Sequence, residues 1–250
     1  MSGAPTSRPT STSAVAGRFD AVFFDVGNTL LYAYPSVGHV CAEILLASGR
    51  VHSLDEIDSV LTLVDEYYED RYRTDDTFWT SDERVAEVWN GMYLLLCRRL
   101  GIPETEATPL ARAVYDSFGD AGRWRAYDDV APAFERLRAA GVKVGIISNW
   151  DVRLKGILDG LGLGSLIDTV VSSAVVGLHK PDPRIFELAC ARLEVDPGRS
   201  AHVGDHYYAD VVGARAAGMV PVLIDRHGVG LEADGVTCLT TLDDLEEALR

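Results

Sequence analysis

From about residue 128 onward the chain alternates short apolar runs with helical stretches, and this alternation narrows the possible folds more than any other feature. VKVGIIS (142–148), TVVSS (169–173), SAHVGD (200–205) and VPVLID (220–225) read as buried strands. Helical patterns fill 152–161, 183–193 and 210–219 between them. A last strand near 236–239 and a helix over 241–250 close the series. One more apolar run, DAVFFD (20–25), stands far upstream. Strands that alternate with helices imply an α/β fold, a doubly wound parallel sheet of Rossmann-like type.

The stretch from about 36 to 122 has a different pattern. Segments near 36–49, 53–73, 82–100 and 106–119 carry apolar residues at helical spacing, with breaks at SGR, TDDTF and GIPET. It contains no convincing strand. The expected organisation is a core from 18–34 and 123–250, interrupted by an all-helical unit over 35–122. Residues 1–17, rich in Ser, Thr, Ala and Pro, read as a disordered tail rather than a targeting peptide.

Ligands of open parallel sheets sit beyond the carboxyl ends of the strands. Four such ends here carry polar groups: Asp25; Ser148 and Asn149; Asp205 with Asp210 five residues on; and a loop leading to Lys180. Any one of them suits a simple strand terminus or helix cap, but four together are hard to explain that way. Converging carboxylates repel one another and call for a cation. Oxygen ligands beside a phosphate favour Mg²⁺. A carboxylate next to the metal can attack phosphorus and form an aspartyl-phosphate. Ser148, Thr29 and Lys180 are placed to neutralise phosphoryl charge.

At this point the chain resembles a known family. FFDVGNTL, IISNWD, HKPDPRIF and VGDHYYAD look like the four motifs of the haloacid dehalogenase superfamily, in order. The insert between the first two is similar to the helical-cap subclass, in which the cap closes over the site and selects the substrate. The resemblance implies Asp25 as nucleophile and Lys180 as its charge partner. Thr29, Ser148 and Asn149 are implied on the phosphate side. Asp25, the backbone carbonyl of Gly27, Asp205 and Asp210 are implied as the Mg²⁺ site. Asp182 reads as the cap of the helix that begins at Pro183. His179 and His206 flank the site without occupying fixed motif positions.

One departure matters. Phosphatases of the family usually read DxDxT, with the second Asp as general acid and base. This chain reads Asp25-Val26-Gly27-Asn28-Thr29. The expected activity is hydrolysis of small phosphate monoesters whose leaving groups need little protonation, such as aryl or acyl phosphates. Asp151, His206, a residue of the insert or a substrate group are the possible stand-ins for the acid. Three alternatives remain open at this level. A degenerate relative would bind a phospholigand or a partner without turnover. A 2-haloacid dehalogenase would carry an aromatic residue at position two and would not need GDHYYAD. A phosphonatase would need a lysine in the insert, which has none.

The formal net charge of −15 argues against nucleic acid and anionic membranes as partners. It also means that phosphate must be met by a metal or a few placed cations. Only Lys143, Lys155 and Lys180 are lysines, so a lysine inside a motif stands out. The four cysteines show no metal-ligand spacing and suit a reducing, cytoplasmic setting. The expected partner is a small phosphorylated metabolite. Tyr67, Tyr68, Tyr72, Phe78, Trp79 and Trp89 lie close together in the insert. They are read chiefly as packing, with some available to a pocket.

Overall fold

The computed structural model of the chain describes residues 15, 17–231 and 233–250; the tail expected over 1–17 falls almost wholly outside them. Eight strands are present among these residues: β1 (Ala21–Phe24), β2 (Leu31–Ala33), β3 (Trp124–Ala126), β4 (Lys143–Ser148), β5 (Thr169–Ser172), β6 (Ser200–Gly204), β7 (Val220–Ile224) and β8 (Thr237–Leu239). Six of them form a sheet in the order β5-β4-β1-β6-β7-β8, with every neighbouring pair parallel. The doubly wound parallel sheet expected from the sequence is therefore present.

β1 shows why these strands read as continuous apolar runs. All four of its residues are buried. Val22 and Phe24 face one apolar layer with Phe134 and Ile157. Ala21 and Phe23 face the opposite layer with Ile185 and Phe186. A strand covered by helices on both faces has no polar side to show.

The helical insert consists of α1 (Val37–Ala47), α2 (Leu54–Thr74), α3 (Asp82–Arg99) and α4 (Glu104–Ser117). Ser36, Ser53 and Ser81 start the first three by accepting the N–H of the residue three positions on. The insert has its own apolar cluster, built around residues such as Ile57, Val85, Leu96 and Val114. It leaves and rejoins the sheet region through β2 and β3, which pair antiparallel. Trp124 on this ribbon packs against both the insert's cluster and a sheet layer.

Several local expectations change. The β2–β3 ribbon was not visible in the sequence, because three-residue strands leave almost no periodic signal. The break at TDDTF is a 3₁₀ turn over Asp76–Thr80. The single helix expected over 210–219 is a π-helical turn, Tyr207–Val212, followed by a short α-helix, Gly213–Ala216. Wide turns of this kind recur at functional sites, and Asp210 lies inside this one. The terminal helix shortens to a 3₁₀ turn at Leu242–Asp244 and an α-helical turn at Leu245–Ala248.

Candidate active site

Strand order builds the site. β1 lies between β4 and β6, and the chain winds outward in opposite directions on its two sides. The carboxyl ends at such a switch point border a crevice. Asp25 follows β1, Ser148 ends β4 and Asp205 follows β6. After Asp25 the chain turns sharply. The N–H groups of Leu30 and Leu31 both donate to the Val26 carbonyl at 2.9 Å. Asn28 sits at φ 51°, a left-handed conformation that asparagine tolerates better than most residues.

Lys180 reaches the site on a loop whose backbone Asn149 holds at the lysine itself. Asn149 Nδ2 donates to the Lys180 carbonyl at 3.0 Å, and the Lys180 N–H donates to Asn149 Oδ1 at 2.8 Å. Beyond it, Asp182 accepts the Arg184 N–H at 3.0 Å and caps the helix Pro183–Leu193, as the sequence suggested. Lys180 Nζ then lies 2.6 Å from Asp25 Oδ1 and 2.5 Å from Asp210 Oδ1. Ser148 Oγ donates to the same Asp25 oxygen at 2.9 Å. The second Asp25 oxygen accepts no hydrogen bond from a described residue, and Asp25 lines the main cavity.

Asp210 is held from three sides. Besides Lys180, His202 Nε2 lies 2.8 Å from Oδ1 and the His206 N–H donates to Oδ2 at 3.0 Å. This crowding explains the glycine before Asp205. A Cβ on Gly204 would stand 2.1 Å from the Asp210 carboxyl carbon. Thr29 is fully buried, and its hydroxyl lies 3.4 Å from Asp205 Oδ1. It does not line the cavity, whereas Asn149 does. Gly27 also lines the cavity, and a Cβ there would meet nothing closer than the Trp150 ring, at 3.8 Å.

Burial and mutual repulsion dominate the electrostatics. Burial works against a charged Lys180, but Asp210 and Asp25 outweigh it and hold its pKa above the usual lysine value. Burial opposes ionisation of Asp210 too; Lys180 and His202 reverse this and hold its carboxyl below the usual range. Asp205 lacks such partners. Burial, then Asp25 and Asp210, push it up to about 7. Three carboxylates thus face a single lysine. One oxygen from each of Asp25, Asp205 and Asp210 can be chosen so that all lie within 4.8 Å of one another. Hard oxygen donors with surplus negative charge fit a divalent cation such as Mg²⁺.

Above the carboxylates lies a cavity of about 530 Å³, walled by the sheet's loops and by the insert. Asp151 and Arg153 line it as a closed pair: Arg153 Nη2 lies 2.6 Å from Asp151 Oδ2. Tyr115 donates to the same carboxylate at 3.2 Å, and Arg153 lies over the Tyr115 ring. His206 lines the cavity; His179 does not, and lies 3.4 Å from Asp76 instead. Tyr68, Tyr72, Trp79 and Trp89 are on the wall, so the aromatic cluster both packs the insert and faces the cavity.

Two contributors escaped sequence reasoning. His202 left a faint signal, a polar residue between apolar neighbours in a buried strand. Arg226 left none. It donates to the Thr29 carbonyl through Nε at 3.0 Å and Nη2 at 2.9 Å, and so ties the end of β7 to the loop after Asp25.

Comparison with known proteins agrees with this geometry. The chain matches the haloacid dehalogenase-like hydrolase family over residues 19–218. It is 32% identical over 207 residues to haloacid dehalogenase-like hydrolase domain-containing protein 3 of Homo sapiens, covering 80% of each chain. The Mus musculus protein of the same name is 39% identical over 137 residues, and there the match spans 54% of this chain and only 55% of the relative. A glyceraldehyde 3-phosphate phosphatase of Methanopyrus kandleri is 31% identical over 211 residues, 82% of this chain and 84% of that one. Among solved structures, a HAD phosphatase from Thermococcus onnurineus superposes with a TM-score of 0.64 at 26% identity, covering 92% of this chain and 98% of that one. With the Asp25, Ser148, Lys180 and Asp205 motifs gathered at one sheet edge, the chain belongs to the haloacid dehalogenase-like hydrolases.

Proposed function

We propose that the protein is a Mg²⁺-dependent phosphatase of small-molecule phosphate monoesters, with Asp25 as nucleophile. The observation that carries this reading is the setting of the Asp25 carboxylate. One oxygen is gripped by Lys180 and Ser148, and the other accepts no hydrogen bond from the described residues and belongs to a side chain on the cavity wall. The names of relatives support the reaction class, since the archaeal relative and the Thermococcus structure are both called phosphatases.

In this reading the ungripped oxygen of Asp25 attacks phosphorus, the ester P–O bond breaks, and the leaving oxygen departs with the bonding pair. Water then hydrolyses the aspartyl-phosphate and restores the carboxylate. Lys180 and Ser148 offset charge on the phosphoryl oxygens as it builds. Asn149 sets the Lys180 loop, and Thr29 sets Asp205. Asp25, Asp205, Asp210 and the Gly27 carbonyl are the residues that would hold Mg²⁺. The ion would supply positive charge that lets a phosphate dianion approach three carboxylates. The helical unit over 35–122 acts as a cap on the core formed by 18–34 and 123–250, and closes the cavity from above.

No carboxylate stands at position 27 to protonate the leaving group. Asp151, one of the stand-ins suggested by the sequence, is bound up with Arg153 and Tyr115. The preferred esters are therefore those whose leaving groups depart with little protonation, such as aryl or acyl phosphates. A phosphate-release screen over phosphometabolites, with and without Mg²⁺, tests the reading. Activity that needs both Mg²⁺ and Asp25, and vanishes in Asp25→Asn, is expected. No Mg²⁺-dependent phosphate release from any ester would sink it.

A further inference from the structure

The cavity wall says more about the ester than its leaving-group chemistry alone. A chain of aromatic rings runs from the catalytic loops up into the insert. Trp150, two residues after Ser148, meets Trp124 with ring centroids 5.0 Å apart. Trp124 meets Phe118 at 5.7 Å, and Phe118 stacks on Tyr93 at 6.1 Å with only 11° between planes. Tyr93 stacks on Trp89 at 6.3 Å, and Trp89 on Tyr68 at 6.0 Å. All six rings line the cavity. The series begins beside Gly27, where an added Cβ would make ordinary contact with the Trp150 ring at 3.8 Å.

Charge on the same wall is one-sided. Lys180 and Arg153 are its only lysine or arginine among the described residues, and carboxylates occupy both. Beyond the carboxylates of the sheet's loops, Asp25, Asp151, Asp205 and Asp210, the wall carries Asp65 and Glu69, acids on the insert's side of the cavity. A substrate with a second anionic group would find no unclaimed cation and would face these acids. A neutral ring would find flat apolar partners on several sides.

We infer that the leaving group of the natural ester is a neutral aromatic one, taken in preference to sugar, acyl or carboxylate-bearing groups. The inference rests on the phosphatase reading above and narrows it. The cavity has room for one or two fused rings beside the phosphoryl group. The aromatic wall holds the ring while Asp25 takes the phosphoryl group, and the aryloxide leaves with the bonding pair, to be protonated by solvent.

Three measurements separate this inference from the reaction itself. Phenyl phosphate should show kcat/KM at least tenfold above 4-carboxyphenyl phosphate. Leaving-group chemistry alone predicts the reverse, since the ring carboxylate withdraws electrons. Trp89→Leu and Tyr68→Leu should each lower kcat/KM for 1-naphthyl phosphate about tenfold. Their rates on acetyl phosphate, which has no ring to hold, should stay within about twofold of the parent and so also report a folded site. 1-Naphthol alone should quench tryptophan fluorescence of the unaltered protein saturably. Equal or faster turnover of the carboxylated ester, parallel losses on both substrates in the variants, or absent naphthol binding would overturn the inference. The phosphatase reading would survive any of these so long as phosphate is released. Saturable naphthol binding with no phosphate release from any ester would instead overturn the phosphatase reading.

Discussion

Lys180 Nζ stands 2.6 Å from Asp25 Oδ1, and only 2% of the lysine side chain is exposed. Because Asp210 shares the same ammonium group at 2.5 Å, removing the lysine leaves two buried carboxylates with their main counter-charge gone. Breaking a buried ion pair from one side costs about 3–5 kcal/mol. Lys180→Met, which keeps much of the volume, should lose stability of that order in urea unfolding with EDTA present. Added Mg²⁺ should restore part of it. Turnover should drop about 10²–10³-fold, the usual loss when one placed charge-stabilising group is removed. Unchanged stability without metal would show that the lysine does not hold these carboxylates together.

Gly27 offers a gain-of-function test. The position lines the cavity, and an added Cβ would make only an ordinary contact, 3.8 Å from the Trp150 ring. Gly27→Asp should therefore be accommodated. If the family's acid is all that is missing, alkyl phosphates should gain about 10²–10⁴-fold in kcat, while aryl phosphates gain much less. A plot of log kcat against leaving-group pKa should flatten in the variant. An equal slope in both proteins would show that a proton donor already serves the site.

How far these features could be read in advance depended on the kind of residue. Strands such as Lys143–Ser148 and Ser200–Gly204 are buried almost throughout, because helices cover both faces of the sheet, so they stood out as largely apolar runs. Their polar termini Ser148 and Asp205 stood out for the same reason. The helix Pro183–Leu193 was legible to the residue, since Asp182 and Pro183 mark its start chemically. The β2–β3 ribbon was not, because three residues give no period. Arg226 was illegible for a different reason. Its role comes from two contacts to the Thr29 carbonyl across 197 positions of sequence, and no local pattern records such a contact. The aromatic cluster was visible, but not which rings faced inward, because that depends on how the insert settles over the sheet.

The Asp205 carboxyl sets a pH dependence. Burial and its acidic neighbours raise it to about 7 in the metal-free protein. The folded state then holds a proton that the unfolded chain, with an ordinary value of about 4, releases. The contribution of Asp205 to the stability of the metal-free protein should fall as pH rises from about 4 to about 7 and level off above. Asp210, whose carboxyl is held below its usual range, contributes in the opposite sense only at lower pH. In the proposed site Mg²⁺ needs Asp205 ionised, so its apparent affinity should drop about tenfold per pH unit below about 7. Melting curves at pH 5.5 and 8.0 check both statements. In EDTA the Tm of the parent relative to that of Asp205→Asn should be higher at 5.5 than at 8.0, and the rise on adding Mg²⁺ to the parent should be larger at 8.0. Asp205→Asn should lose the second difference.

His202 gives the test of how Asp210 is positioned. Its ring is wholly buried and meets the Phe186 ring edge-on at 5.0 Å. Burial lowers its pKa against the pull of Asp210, so the neutral ring donates from Nε2 to Asp210 Oδ1. A residue that orients a metal ligand in this way typically contributes about 10–100-fold in metal affinity. His202→Leu keeps the apolar contact with Phe186 and removes the donor. The Mg²⁺ concentration for half-maximal activity should rise by about that factor, with kcat at saturating Mg²⁺ within a few fold of the parent. His202→Gln, whose amide can donate, should recover part of the shift. If His202 served packing alone, both variants would lower Tm and leave the Mg²⁺ midpoint where it was.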